Sequence, residues 1–232
     1  AAYVQQEWPL SCRLKVNAGI RGSMAVTPSK NYVFPEPRIS ARYALGDDRA
    51  LKLNYSRMVQ YLHRISNSAV STPIDVWFPV TDSIKPQTSH QFAVAWQRFV
   101  PFQKIFVSVE GYYKSMRDLV AYEEGTNFLF KSDFESRLVQ GMGKAYGLEF
   151  LVRKQSGKFT GWVSYSLSWS WRRYDELNNG EWFRARYDRR HNGAVVAQHL
   201  LGKRWMASLV WEYISGARFT PVVGEYLALA PN

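Results

Sequence analysis

The sequence predicts an all-β fold: an antiparallel, up-and-down β-barrel that crosses a membrane with its strands. Three observations carry this. Apolar and polar residues alternate with period two along most of the chain, many runs are ten residues or longer, and short connections alternate with long ones. Strands of soluble domains usually run only about five or six residues.

The first run sets Cys12, Leu14, Val16, Ala18 and Ile20 against Ser11, Arg13, Lys15, Asn17 and Arg21. The second sets Ile39, Ala41, Tyr43 and Leu45 against Arg38, Ser40, Arg42 and Ala44, and the third sets Leu51, Leu53 and Tyr55 against Lys52, Asn54 and Ser56. Further runs cover about 88–99, 105–122, 144–154, 159–172, 191–201 and 205–215. The clearest has Phe159, Val163, Tyr165, Leu167, Trp169 and Trp171 opposite Ser164, Ser166, Ser168 and Ser170. That makes nine predicted strands.

Tight turns are predicted at 46–49, 100–104, 154–158 and 201–204. The other connections are long: about 27–35, 62–87, 123–143, 173–190 and everything after Ser215. Short turns on one side and long loops on the other are the layout of an outer-membrane barrel. A Greek-key sandwich has no reason to keep that order. Aromatics fall near the strand ends, with Phe99, Phe102, Phe159 and Trp205 toward the short turns. Tyr61, Phe92, Trp169, Trp171 and Tyr213 lie toward the long loops, giving the two bands expected at lipid–water interfaces. A soluble barrel core is the competing reading, and strand length argues against it.

Composition excludes other classes. The 232 residues are 46% hydrophobic, too apolar for a disordered chain, yet no apolar run approaches the ~20 residues of a membrane helix. The single Cys12 excludes an internal disulfide and a Cys-based zinc site, and residues 1–10 lack the pattern of a secretion signal. A net charge of +11 invites a nucleic-acid reading. The cations, however, fall at alternate strand positions rather than on one helix or strip, so no nucleic-acid partner is expected. His63, His90, His191 and His199 are scattered; the last two lie too far apart along one strand for one metal. No nucleophile elbow or phosphate loop is present, so neither an enzyme nor a cofactor or metal site is expected.

Arg13, Lys15, Arg21, Arg38, Arg42 and Lys52 form a basic wall on the polar face of three consecutive strands, with no carboxylate among them. It suits passage or docking of an anionic substrate. Alternatively it pairs with carboxylates of a domain lodged in the lumen. The segment 172–190 holds six Arg and four carboxylates around Trp182 and Phe183. Self-pairing in solvent is the plain reading, and a ligand platform built on the two rings is the functional one. Arg186, Asp188, Arg189 and Arg190 are expected to fix the start of the next strand as a charge network. The 62–87 loop carries Pro73, Trp77, Phe78 and Pro79, so Trp77 and Phe78 are a second candidate ligand contact.

Several segments resemble one family. Lys85-Pro86-Gln87-Thr88-Ser89 leading to Gln91-Phe92, then Glu110-Gly111-Tyr112-Tyr113-Lys114-Ser115-Met116-Arg117-Asp118-Leu119, resemble consecutive strands of TonB-dependent outer-membrane receptors. Gly143-Lys144-Ala145-Tyr146-Gly147-Leu148-Glu149 is similar to a third element of that family. Glu36-Pro37-Arg38-Ile39-Ser40 and Tyr187-Asp188-Arg189-Arg190-His191 resemble the branch that carries a carboxypeptidase-like regulatory domain, related to SusC-type nutrient receptors. The matches run in order over about 35–220.

The resemblance implies a multi-pass barrel of about twenty-two strands in the Gram-negative outer membrane, a plug inside it, and nutrient uptake energised by TonB. Its implied partners are the outer-membrane lipid bilayer, the plug, TonB and, for SusC-type receptors, a surface lipoprotein. Residues 1–232 then read as a partial barrel, without plug or regulatory domain. The odd strand count and an end at 229–232 without a closing aromatic strand point the same way. Two other expectations stay open: a receptor-like barrel serving as a structural subunit of an envelope complex, and a smaller diffusion porin.

Overall fold

The computed structural model of the chain describes residues 1–66, 75–122 and 135–217. The strands are β1 (Ala2–Pro9), β2 (Leu14–Val26), β3 (Asn31–Ala44), β4 (Arg49–Gln60), β5 (Leu62–Ser66), β6 (Asp75–Pro79) and β7 (Gln87–Val100). They continue as β8 (Ile105–Tyr122), β9 (Leu138–Lys154), β10 (Phe159–Arg173), β11 (Phe183–Arg184), β12 (His191–Leu201) and β13 (Trp205–Ile214). The main sheet runs β1-β2-β3-β4-β7-β8-β9-β10-β12-β13, every neighbour antiparallel, with β11 beside β10 and β5–β6 as a separate hairpin. It is an open sheet, the up-and-down wall of a barrel that these residues do not close. No helix among the described residues is long and apolar enough to cross a membrane.

Ten strands therefore stand in the wall's path, not nine. The missed one, β1, has few apolar positions: only Val4 and Trp8 share its apolar face across from Ile20 and Val16, with Gln6 between them. The expected 27–35 loop is also corrected, because β2 and β3 extend until only residues 27–30 connect them. Two prolines, Pro35 and Pro37, lie within the extended β3. In β3 the even residues bond toward β2, as Ala44 does by donating to the Arg13 carbonyl at 2.7 Å. The two prolines thus face the β4 side, and β4 pairs only from Arg38↔Ser56 onward, so their missing N–H groups break no ladder. The 62–87 loop contains the β5–β6 hairpin, and residues 67–74, which include Pro73, lie outside the described residues. So do 123–134 of the predicted third loop and 218–232.

Register divides the wall into two faces. One carries Val16, Ile39, Leu53, Val94, Val109, Leu148, Val163 and Leu209. Many of these remain open to the surroundings, Ile39 and Leu53 each at 48% and Leu209 at 57%. A continuous apolar face of that extent is far larger than a monomer exposes to water, and it suits lipid. The other face carries Asn17, Ser40, Asn54, Ser164, Ser166 and Ser168. On the apolar face Tyr55, Phe92, Tyr113, Tyr146 and Trp169 are registered partners across five neighbouring strands. Tyr55 and Phe92 lie 4.8 Å apart and Tyr146 and Trp169 5.3 Å, making the long-loop girdle a ladder of rings. Phe99 was expected in the opposite band. Its parity instead puts it on the polar face with Gln97 and Ala95, because β7 alternates without a break to Val100. Tyr61 sits between β4 and β5 and hydrogen-bonds the Ser23 hydroxyl at 2.8 Å.

Packing is concentrated at the long-loop end. A bulge at Asp118, held at φ 57°, shifts the β8–β9 register, and the ribbon beyond it is covered on both faces. Leu119, Tyr174 and Leu177 pack with Met116, Ala121, Val139 and Phe183 on the face continuous with the polar side. Val120 and Leu138 pack with Ile65, Ile84, Phe78 and Tyr122 on the other.

Candidate functional site

Strands β2, β3 and β4 position the basic wall. Because Lys15 pairs with Arg42 and Arg42 with Lys52, the three cations form one row across three strands near the short turns. They border a shallow cavity of about 250 Å³ with Asn17, Asn54 and Glu7. Two residues further along β3, Ser40 separates this row from Arg38, which stands opposite Gly19 and Ser56. Arg38 and Arg21 line a second cavity of about 390 Å³ with Tyr3 and Gln5. Lys15, Arg38, Arg42 and Lys52 make no salt bridge among the described residues. Rows of like charge on adjacent strands oppose one another, so such a face is complete only with an anionic counterpart or water and salt.

Two details depart from the expected wall. Arg13 lies in the turn before β2, not on the strand, and its carbonyl accepts the Ala44 N–H. The wall is also not free of carboxylates. Glu36, 2% exposed, faces Arg21 across the β2–β3 ladder at 3.9 Å, and Glu7 on β1 shares the face. Glu7 was missed because its strand was not predicted, and Glu36 because the second alternating run was read only from Arg38, although Glu36 opens the 36–40 motif.

The arc beyond β7 has a different character. Glu110 and Glu149 stand directly opposite each other across β8 and β9 on the polar face, and Ser166 stands opposite Glu149. Next to them run the serines of β10. The sequence motifs contained both glutamates, but only register brings them together.

The aromatic candidates separate. β11 pairs Phe183 with Arg172 and Arg184 with Trp171, so Trp182 and Phe183 point to opposite faces of the wall. Phe183 stacks on Tyr174 at 6.0 Å within the packed cluster. Trp182 remains exposed, with the Lys144 ammonium 4.4 Å from its ring centre. On the hairpin, Phe78 packs against the Ile65 cluster while Trp77 is 58% exposed. The two pairs therefore do not form two-ring platforms. Trp77 and Trp182 are the members open to a ligand.

The segment 185–191 is tied to β10. Asp188, 5% exposed, accepts the Ser170 N–H at 2.9 Å and the Arg190 guanidinium at 3.1 Å. Arg190 in turn lies 4.5 Å from the Trp169 ring centre, and the Arg189 carbonyl accepts the Ser168 hydroxyl at 3.2 Å. Arg186 lies exposed on the same segment. Residues 80–86 are anchored similarly. Asp82 accepts the Thr27 hydroxyl at 2.5 Å and the Ser29 N–H at 3.1 Å, and these bonds hold its carboxyl below the usual carboxylate range. Gln140 both donates to the Lys85 carbonyl and accepts the Lys85 N–H, while Thr81 and Ser83 both reach Glu135. No group of three or more metal-ligating side chains occurs among the described residues.

Comparison with known proteins agrees with this geometry. The family described as TonB dependent receptor-like, beta-barrel, matches residues 1–229. No curated protein matches the chain. Among solved structures, the closed form of the ferric-catecholate import receptor Fiu from E. coli K12 is similar over 91% of this chain and 33% of its own. Its TM-score is 0.63 and its identity 12%. The ferripyoverdine receptor of the Pseudomonas aeruginosa outer membrane, bound to ferripyoverdine, gives a TM-score of 0.60 at 9% identity, over 91% of this chain and 31% of its own. The chain thus spans about a third of the length of these receptors.

Proposed function

The chain belongs to the TonB dependent receptor-like β-barrel family, and from that premise we propose that it is a wall segment of a receptor importing an anionic nutrient ligand. Uptake is energised through a plug by TonB, and the segment performs no chemistry of its own. Within the family we assign it to the branch with a carboxypeptidase-like regulatory domain, related to SusC-type receptors. The motifs at 36–40 and 187–191 support that assignment, and exposed Trp77 offers an apolar contact for a surface lipoprotein.

The observation that carries the reading is the row of Lys15, Arg42 and Lys52, with Arg38 beside it, which makes no salt bridge among the described residues and lies on the polar face of a wall whose other face suits lipid. In a channel with low-dielectric walls such a row concentrates anions. The test uses cells producing the full-length receptor with Arg38→Gln and Arg42→Gln. Uptake of an anionic ferric catecholate should fall by about tenfold while a neutral chelate of similar size is unaffected. Equal losses for both would overturn the anionic assignment and leave a row that serves plug docking. Uptake that persists without TonB would overturn energised import in favour of a diffusion pore.

A further inference from the structure

The apolar face has cations immediately beyond its aromatic ladder. Tyr113, Tyr146 and Trp169 are registered neighbours on β8, β9 and β10. One step toward the long loops, Lys144 stands between Ser115 and Trp171; one further step brings Arg117 and Arg173 to either side of Met142. Each step is two residues, about 7 Å along a strand. Arg117, Lys144 and Arg173 thus share the lipid-suited face, just past the rings that mark its edge, and cargo in the lumen does not reach them.

These three cations border a cavity of about 560 Å³ whose lining includes Tyr113, Ser115 and Trp182. Trp182 is held at its rim by the Lys144 ammonium. Asp118 and Asp175 also line it. Asp175 pairs with Arg173 at 3.6 Å but is 83% exposed, and neither Arg117 nor Lys144 makes a salt bridge among the described residues. The Arg173 Nε is buried without a hydrogen-bond partner among the described residues. Further cation density surrounds the site, because Arg184 lies 5.5 Å from the Trp171 ring centre.

We propose that the cavity bounded by Arg117, Lys144 and Arg173 binds the phosphorylated headgroup of an outer-leaflet lipid. Fork-shaped guanidinium groups match phosphate oxygens, and an ammonium adds a point charge. The ring ladder and the aliphatic face below it accept acyl chains, which a free phosphate would leave uncovered. The proposal rests on the outer-membrane reading above, and failure of that reading would show separately as protein missing from the outer-membrane fraction.

The test is affinity for diphosphoryl lipid A, measured on the full-length receptor in detergent, with dephosphorylated lipid A and inorganic phosphate as comparison probes. Arg117→Gln, Lys144→Gln and Arg173→Gln together should weaken diphosphoryl lipid A by about a hundredfold, roughly fivefold per charge. Dephosphorylated lipid A should bind wild type and variant alike. The pair Arg117→Lys and Arg173→Lys should lose only about tenfold, since charge is kept while the fork geometry is lost. Unchanged affinity in the glutamine variant overturns the proposal, as does a lysine pair as weak as the glutamine variant, which would mark a structural loss. Inorganic phosphate that binds at the same residues as tightly as the lipid overturns it in favour of a small-anion site.

Discussion

At the scale of single residues, the long-loop end is where substitutions should matter most. A Cβ at Gly141 would collide with the Arg173 carbonyl and lie 2.5 Å from the Tyr174 ring, neither of which can yield cheaply. Gly141→Ala should therefore destabilise the barrel by about 1–3 kcal/mol through overpacking, read as a lower thermal midpoint in detergent. Gly46→Ala, with nothing nearer than 3.8 Å, should be close to neutral and serves as the control. His63 provides a pH dependence. It is 2% exposed on the β5–β6 hairpin, and burial holds its imidazole below the ordinary 6.5, against smaller opposing effects of the Lys85 backbone and the Asp118 charge. Neither ring nitrogen closes a well-formed hydrogen bond among the described residues. The opened hairpin takes up a proton near pH 6.5 while the packed one resists, so stability is complete above that pH and falls as pH drops below it. Hydrogen exchange over 62–66 and 75–79 should quicken between pH 7.5 and 5.5, beyond its intrinsic pH effect. His63→Leu should abolish that response, and an identical response in the variant would refute the role.

At the scale of elements, strand existence was legible because period two is a local property: all nine predicted runs correspond to strands. Their ends were less legible. Pro35 and Pro37 are loop signals unless the neighbouring strand stops, and only the β3–β4 register reveals that it does. The bulge at Asp118 was equally hidden, since a polar residue inside an alternating run gives no sign of positive φ. Pairing also creates interactions that no motif contains. Glu110 and Glu149 lie 39 positions apart in sequence yet directly opposite across β8–β9. Like charges so placed oppose the pairing, so Glu149→Gln should stabilise the barrel by about 0.5 kcal/mol. The check is the temperature at which the folded band shifts on a heat-modifiability gel; a lower midpoint would show that Glu149 makes a favourable contact instead.

At the scale of the whole molecule, the wall is chemically uneven. The β2–β4 arc is basic and the β8–β9 arc carries the paired glutamates, while the serines of β10 line the stretch between Glu149 and β12. At its long-loop end the β8–β9 ribbon is gripped on one face by the 174–183 segment and on the other by the β5–β6 hairpin. Candidate residues were legible only as types and faces. Lys15, Arg42 and Lys52 could be assigned to one side by parity, whereas Trp182 and Phe183 parted because β11 docks beside β10, a contact no local pattern encodes. What the sequence alone determined was the all-β class, the up-and-down order, and which side of each strand is polar. Those follow from the two-residue repeat of an extended chain in a two-phase environment. What only the tertiary structure decided was register: the row of three cations, the facing glutamates, the ring ladder and the cavity of Arg117, Lys144 and Arg173. Each depends on residues tens of positions apart, and their alignment is set by hydrogen-bonded pairing between strands rather than by anything within one strand.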